Sequence, residues 1–418
     1  MTASISLLIA IPAFATPVGE SAGEIWVDGP ADKQPGSDPN NPDAVIDHSG
    51  RSIFVWSAFS SATRHDVFLR RFDAGGGLSG DPVLVNTLIE DDQFLPRVAV
   101  SSDNSFLVIW QSDEPDPIVN VDRKWVRSQA FDAAGEPDGD EQLISVHSSG
   151  EANDVNADVA ALRDGGYVVV WRSRDSAGIT NLNILARRIG ANGVPLAAQF
   201  VANSTIGQSE REPTVTELSD GGFLVAWANP EIQGRRFLAD GTPVGSDFQI
   251  NTFTTGAEAE PDAVLGDDGE VLVVWKDEEE AGEDREIRAR LYSDKLVPQG
   301  NDFRINTLIT GVQDNPKAGD YGRGGFFVVW ESATSVGDDN SAQSIQGRIV
   351  TGGNQFAGPQ FQVNGWTVGA QQFPGIGGRN DRIAVGWKSQ GNPDTTNNVI
   401  NGQFWSICGI FCDSFEGE

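Results

Sequence analysis

The chain has 418 residues, 48 of them glycine, with 60 acidic residues against 29 basic ones and a net charge of −31. A surface that negative repels phosphate backbones and anionic headgroups, which excludes nucleic acid and acidic membrane as partners and leaves solubility or cation binding as its purpose. Glycine- and valine-rich sequence without long apolar helical stretches excludes a helical bundle and reads as an all-β chain with many turns.

The first segment, Met1 to Ala15, carries a short apolar run from Ile5 that ends Ala13-Phe14-Ala15. It fits a signal peptide with an A-x-A cleavage site, although no Lys or Arg precedes it, and it is too short to span a bilayer. An exported chain is expected, free of transmembrane segments and periplasmic, extracellular or cell-surface in its final place. Residues 24–405 form the body, and 406–418 a tail holding the two cysteines, Cys408 and Cys412. A bridge between them suits an oxidising compartment better than a zinc site, for which no histidine is near.

Along the body one phrase recurs, an apolar run ending in tryptophan. It reads SIFVW to Trp56, SFLVIW to Trp110, GGYVVVW to Trp171, GGFLVAW to Trp227, GEVLVVW to Trp275, GGFFVVW to Trp330 and RIAVGW to Trp387. The intervals are 54, 61, 56, 48, 55 and 57 residues, a period that belongs to propellers and related arrays. Each copy has companions. A small-sided strand A opens on or near Pro96, Pro213, Pro261, Pro316 or Pro374, and Asp-Gly pairs such as Asp220-Gly221 supply a tight A–B hairpin. The tryptophan run is strand B. Strand C follows, as in LRRF from Leu69 and GRRF from Gly234, and strand D ends in Asn-Thr or a variant of it, as at Thr87, Thr252 and Thr307. Four antiparallel strands make a propeller blade. Strand B is apolar on both faces, as an inner strand covered by two neighbouring blades must be.

The body opens on a D-type strand around Ile25, and its last unit has A, B and C strands but no D. The expected fold is therefore a seven-bladed β-propeller of four antiparallel strands per blade, with the N-terminal strand completing the last blade and removing open edges.

The pattern DGGFxVVW followed by GRRFxxxGxxxGxxFQVNT, carried here by Asp220–Trp227, Gly234–Phe237 and Phe361–Asn364, resembles a repeat found in large secreted bacterial proteins, some of which also carry calcium-binding hemolysin-type arrays. The resemblance spans about residues 24 to 405 and implies a propeller and export. It does not bring calcium chemistry, because the Gly-Gly-x-Gly-x-Asp nonapeptides are missing. The tail from Ile410 to Glu416 is similar to a short terminal motif of exported gammaproteobacterial proteins.

Blade topology puts the tight A–B turns on one face and the D–A crossovers and B–C loops on the other. Long B–C loops are expected at Gln111–Lys124, Arg172–Asn181, Lys276–Asp284, Glu331–Ser341 and Lys388–Asn398. Loops on a rigid scaffold are where binding resides, so this face is the expected ligand face. Just before strand A it offers Asp92 and Gln93, Glu210 and Glu212, Glu258 and Glu260, Gln313 and Asp314, and Gln371 and Gln372, expected to ring the channel mouth as a polar rim or as hard oxygen donors for Ca²⁺ or Mg²⁺. Trp366 on a crossover, and Trp125 after a long loop, are candidate stacking platforms for a sugar, weighed against packing on their own blades.

Catalytic motifs are missing. The three histidines, His48, His65 and His147, sit in no nucleophile or metal motif, and Ser219-Asp220-Gly221-Gly222 only superficially resembles a sialidase Asp-box. The reading is an exported, non-enzymatic binding, adhesion or scaffold module, monomeric, whose partner is a glycan, a cell-surface component or a protein. The alternatives are a carbohydrate-active propeller enzyme with its site at the channel mouth, and a calcium-stabilised structural domain.

Overall fold

The structure is a computed structural model that describes residues 22–29, 37–59, 64–115, 122–146, 153–174, 182–205, 209–279, 285–390 and 398–406. The signal-peptide segment, His147 and the tail with Cys408 and Cys412 lie outside the described residues. No helix occurs among the described residues, so none is long and apolar enough to cross a membrane.

Strand β1 (Ala22–Trp26) comes first. Blade 1 is β2 (Ser37–Ile46), β3 (Ser52–Phe59), β4 (His65–Phe72) and β5 (Val83–Leu84). Blade 2 is β6 (Asp92–Val100), β7 (Phe106–Pro115), β8 (Asp122–Phe131) and β9 (Gln142–Leu143). Blade 3 is β10 (Val155–Ala161), β11 (Tyr167–Arg174), β12 (Leu182–Ile189) and β13 (Phe200–Val201). Blade 4 is β14 (Arg211–Glu217), β15 (Phe223–Asn229), β16 (Glu231–Phe237) and β17 (Pro243–Gln249). Blade 5 is β18 (Gly256–Leu265), β19 (Val271–Glu279), β20 (Arg285–Tyr292) and β21 (Phe303–Arg304). Blade 6 is β22 (Gln313–Gly322), β23 (Gly325–Ser332), β24 (Ser344–Thr351), β25 (Gln355–Phe356) and β26 (Phe361–Gln362), the last two both paired with β24. Blade 7 is β27 (Gln371–Arg379), β28 (Arg382–Ser389) and β29 (Val399–Ser406), and β1 pairs with β29 as its fourth strand. The fold is the expected seven-bladed propeller, closed by its own N-terminal strand.

The core lies between blades. In blade 3, Tyr167, Val169 and Trp171 pack with Leu107, Ile109 and Val126 of blade 2, while Val168 and Val170 pack with Val215, Phe223 and Trp227 of blade 4. That is why strand B is apolar on both faces. All seven strand-B tryptophans are buried.

Polar staples repeat around the ring. The Asn that ends strand D accepts a hydrogen bond from a strand-C amide, as Asn86 from Val67 N at 2.7 Å and Asn306 from Ile287 N at 2.9 Å. Its amide also donates to the crossover two residues on, as Asn306 to Leu308 O. The next residue's amide is held by an acceptor four positions before the following blade's equivalent of that Asn, which is Ser145 in blade 2. Thr87 N donates to Glu141, Thr252 N to Asp302 and Thr307 N to Gln360. At the closure Glu24 plays this part, accepting Gly365 N and Trp366 N at 2.7 Å each. Strand-C arginines cross the same seams. Arg187 donates to Ile144 O, Arg290 to Ile250 O and Arg348 to Ile305 O. These bonds satisfy main-chain groups that burial between blades removes from water.

Strand A departs from its expected boundary. It starts two to five residues before the Pro of five blades and runs through a bulge there. In all seven blades the A–B register slips by one residue, between Asn40 and Asp43 in blade 1 and between Phe94 and Arg97 in blade 2, with the same step in the rest. The extra residue adopts positive φ at Asn41, Leu95, Asn156, Glu212, Glu260, Asn315 and Phe373. Bulges re-aim side chains, and this one turns the second residue after the positive-φ position into the channel. In blade 7 that residue is Gly375, where a Cβ would lie 2.5 Å from Pro42 O, so β27 packs backbone to backbone against blade 1.

Candidate functional site: the channel mouth

Strand A runs from the face of the D–A crossovers and B–C loops to the face of the A–B turns, which are two to five residues long. Seven bulges therefore build one girdle just inside the loop-face mouth. Its members are Asp43, Arg97, Asp158, Thr214, Asp262, Lys317 and Gly375, in blade order. Acids in blades 1, 3 and 5 alternate with donors in blades 2, 4 and 6. Each acid accepts the main-chain N–H that follows the next blade's girdle residue: Asp43 from Val98 at 3.0 Å, Asp158 from Val215 and Asp262 from Ala318 at 2.9 Å. Thr214 Oγ1 also donates to Asp158, and Lys317 Nζ pairs with Asp262 at 2.9 Å. Burial pushes the carboxyls of Asp43 and Asp158 above the ordinary range, against the pull of Arg97 and Lys317.

Outside the girdle sits a cavity of about 190 Å³, lined among others by Leu95, Asn156, Glu212, Glu260 and Asn315. Below it the lumen opens to about 280 Å³, and the two spaces share Arg97, Asp158, Thr214 and Lys317 as walls. The lumen wall is otherwise mostly small or branched apolar residues, such as Val45, Val98, Val159, Val215 and Ile376.

On blades 5 to 7 the mouth is tightly linked. Lys276 Nζ meets Glu260 at 2.7 Å, Glu278 at 3.2 Å and Asp314 at 3.3 Å, and Arg285 meets Asp314 at 2.8 Å. Asn315 bridges two carboxyls: its N–H donates to Glu260 Oε2 at 2.7 Å and its side-chain amide to Glu331 Oε1 at 2.8 Å. Burial pushes Glu331 up to about 7, with Asp314 and Glu260 raising it further. The positive-φ residues are held by these acids, since Glu260 N donates to Glu212 and Phe373 N to Glu331.

Of the residues singled out from the sequence, Glu212 and Glu260 line the mouth cavity and Asp314 joins its ion pairs, whereas most of the others stand elsewhere. Gln93, Glu210, Glu258, Gln313 and Gln371 are buried behind strand A and do not line the mouth cavity. The reason is the bulge: pairing continues past it, so positions read as crossover belong to strand A or border it. Three of them serve strand B. Trp110 Nε1 donates to Gln93 Oε1 at 2.7 Å, Trp330 to Gln313 at 2.9 Å and Trp387 to Gln371 at 3.0 Å. Glu210 accepts from Asn229 at 3.2 Å, and burial raises its carboxyl. Burial, with Glu231 and Asp277 close by, pushes Glu258 up to about 8.

Asp92 is half-buried at the rim. It accepts from the His65 amide at 2.9 Å, and its Oδ1 lies 3.2 Å from the ring Nδ1. Burial lifts its carboxyl, but these bonds and the charges of His65 and Arg64 outweigh that and hold it below the ordinary range. Trp366 is half-buried with its indole N–H turned inward, and Trp125 is a buried strand-C residue. Among the described residues no group of three or more His, Cys, Asp or Glu side chains is placed to hold a metal ion. The expected long B–C loops are narrowed by their strands, which run to Pro115 and resume at Asp122 in blade 2, and run to Glu279 and resume at Arg285 in blade 5. The girdle escaped the sequence reading, although its signal is there: six of its seven residues directly follow a proline that reads as opening strand A or occupies that register, as in Pro42-Asp43 and Pro96-Arg97.

No family model matches the chain, and no curated protein matches it in sequence. Solved structures do resemble it. A protein of unknown function from Dyadobacter fermentans is 9% identical, with a TM-score of 0.52 over 92% of this chain and 98% of that one. A fungal alcohol oxidase of the AA5 family, in complex with copper, is 14% identical, with a TM-score of 0.56 over 93% of this chain and 76% of that one. A Hadza microbial sialidase is 12% identical, with a TM-score of 0.51 over 74% of this chain and 66% of that one. At such identities the likeness is one of fold.

Proposed function

We propose that the chain is an exported, non-enzymatic recognition propeller that engages a glycan, a cell-surface component or a protein partner through its loop face. The observation that carries this reading is the state of the mouth on blades 5 to 7. Glu260, Asp314, Lys276 and Arg285 are bound to one another, and Glu331 is bound to Asn315 and Phe373. Groups so engaged hold a rim in shape. The mouth cavity, at about 190 Å³, also falls below the roughly 300–1,000 Å³ of drug-sized ligand pockets, which suits surface contact better than engulfing a polymer. The propeller itself does not choose, since one fold hosts a sialidase, a copper oxidase and much else.

A second reading has one specific support. Glu331, near 7, and Glu260, tied to Lys276, are carboxyls of unlike environment joined by Asn315, the contrast that acid–base hydrolysis of glycosides uses. The experiment is a glycan and cell-surface binding screen on the purified chain, with reducing-sugar release measured on the same polysaccharides. Saturable binding without turnover is expected. Turnover that disappears in Glu331→Gln replaces the first reading by the second.

A further inference from the structure

The two sides of the mouth are unequally satisfied. On blades 5 and 6 the charged groups that line the cavity find partners within the protein: Glu260 has Lys276, and Lys317 has Asp262. On blades 2 to 4 they are less fully engaged: Lys317 and Arg97 attract Asp158 and Arg172 attracts Glu212, but no ion pair within 4.0 Å joins them among the described residues. Arg97 Nη1 donates to Pro96 O at 2.9 Å, and its guanidinium has no carboxylate within 4.0 Å among the described residues. Asp158 uses only Oδ2, for Thr214 and Val215, and Glu212 uses only Oε2, for Glu260 N. The side-chain amide of Asn156 is exposed and makes no hydrogen bond among the described residues. All four residues line the same cavity. Beside it, the B–C connection of blade 4 is the single residue Pro230.

One guanidinium and two carboxylate oxygens facing a shared cavity set the charge pattern of what fits. A simple anion pairs with Arg97 and leaves Asp158 and Glu212 repelling it. A simple cation does the reverse. A ligand carrying both signs pairs all three through charge-assisted hydrogen bonds. The cavity, at about 190 Å³, falls below the roughly 300–1,000 Å³ of drug-sized ligand pockets, so the ligand is small. We propose that the blade 2–4 side of the mouth binds a small zwitterion of the α-amino acid class, its carboxylate on Arg97 and its ammonium group between Asp158 and Glu212, with Asn156 as an added polar contact. This site lies inside the ring and is independent of the glycan or protein partner proposed for the loops.

The test is calorimetric titration of the full chain with the common L-amino acids, and with acetate and ethylammonium as ligands of one sign. At least one amino acid is expected to bind about 10-fold or more tightly than either single-sign ligand, a factor of ten being about 1.4 kcal/mol. Arg97→Gln is expected to weaken that binding about 10-fold or more and Arg97→Lys less. Glu212→Gln, on a half-exposed bulge, tests the ammonium side even where an Arg97 variant fails to fold, and is expected to weaken amino-acid binding several-fold while sparing acetate. The proposal is overturned if no amino acid binds in the millimolar range, if acetate or ethylammonium binds as tightly, or if Glu212→Gln leaves the affinity unchanged.

Discussion

Blades 5 and 6 solve the same local problem with different atoms. In each, a buried polar side chain stands 17 residues before the strand-B tryptophan. In blade 6 it is Gln313, whose amide oxygen accepts from Trp330 Nε1 at 2.9 Å. In blade 5 it is Glu258, set near Glu231 and Asp277, and Trp275 Nε1 has no hydrogen-bond partner among the described residues. An amide stays neutral when buried, whereas a carboxylate does not tolerate burial and takes up a proton instead. The difference teaches what this position is for: it serves the tryptophan beside it, and the blades tolerate a poor choice because the rest of the interblade core is intact.

The largest effect that bears on this contrast comes from the tryptophans themselves. Trp330→Ala removes a fully buried side chain and should lower stability by about 3–5 kcal/mol, and Trp275→Ala by less, because it gives up no hydrogen bond and relieves an unpaired indole N–H. Denaturant unfolding of both variants measures the gap. Equal losses mean that the Gln313 bond contributes nothing.

Gln313→Glu, next in size, converts blade 6 to the chemistry of blade 5. The new carboxyl is buried, so it should remain protonated well above its ordinary range. The folded variant then holds a proton that its unfolded chain releases, and stability falls as pH rises through that window. A loss of about 2–4 kcal/mol at pH 8, largely recovered by pH 5, is expected from urea unfolding at the two pH values. A loss that does not depend on pH breaks the analogy between the blades.

The same pair of blades shows what a sequence displays and what it withholds. Blade count, strand order and ring closure follow from apolar periodicity and turn residues, because Val168-Val169-Val170-Trp171 and Ile25 each answer to a simple burial rule. The direction of a polar side chain near the bulge does not. Gln313 and Lys317 are four residues apart in one strand, yet one is sealed against a tryptophan and the other faces the channel, because the extra residue at Asn315 shifts the register between them. A positive φ at a glutamate or phenylalanine, as at Glu260 and Phe373, has no composition signal at all. It is held by carboxylates from neighbouring blades that are some 40 to 50 residues away in the chain.

Glu258→Gln, the smallest expected effect, runs the contrast backwards and has the opposite sign. Glu258 has a folded-state value of about 8, against an ordinary value of 4.5. Between those two values the folded chain keeps a proton that the unfolded chain gives up, so the wild type is at its full stability below pH 4.5 and loses this contribution as pH rises toward 8. Glutamine carries no such proton. The proton's contribution should therefore leave the variant level with the wild type near pH 4.5 and ahead of it by about 1–2 kcal/mol at pH 8, a tenfold change in proton affinity being worth ~1.4 kcal/mol. Its amide also sits where Gln313 and Gln93 receive their indoles, so Trp275 gains the acceptor it lacks. Urea unfolding across pH 5 to 8 separates the two contributions. Loss of the proton appears as a flattened slope, and the hydrogen bond as an offset that persists at pH 5. An unchanged slope places the pH dependence elsewhere, with Glu331 of blade 6, at about 7, the next group to substitute.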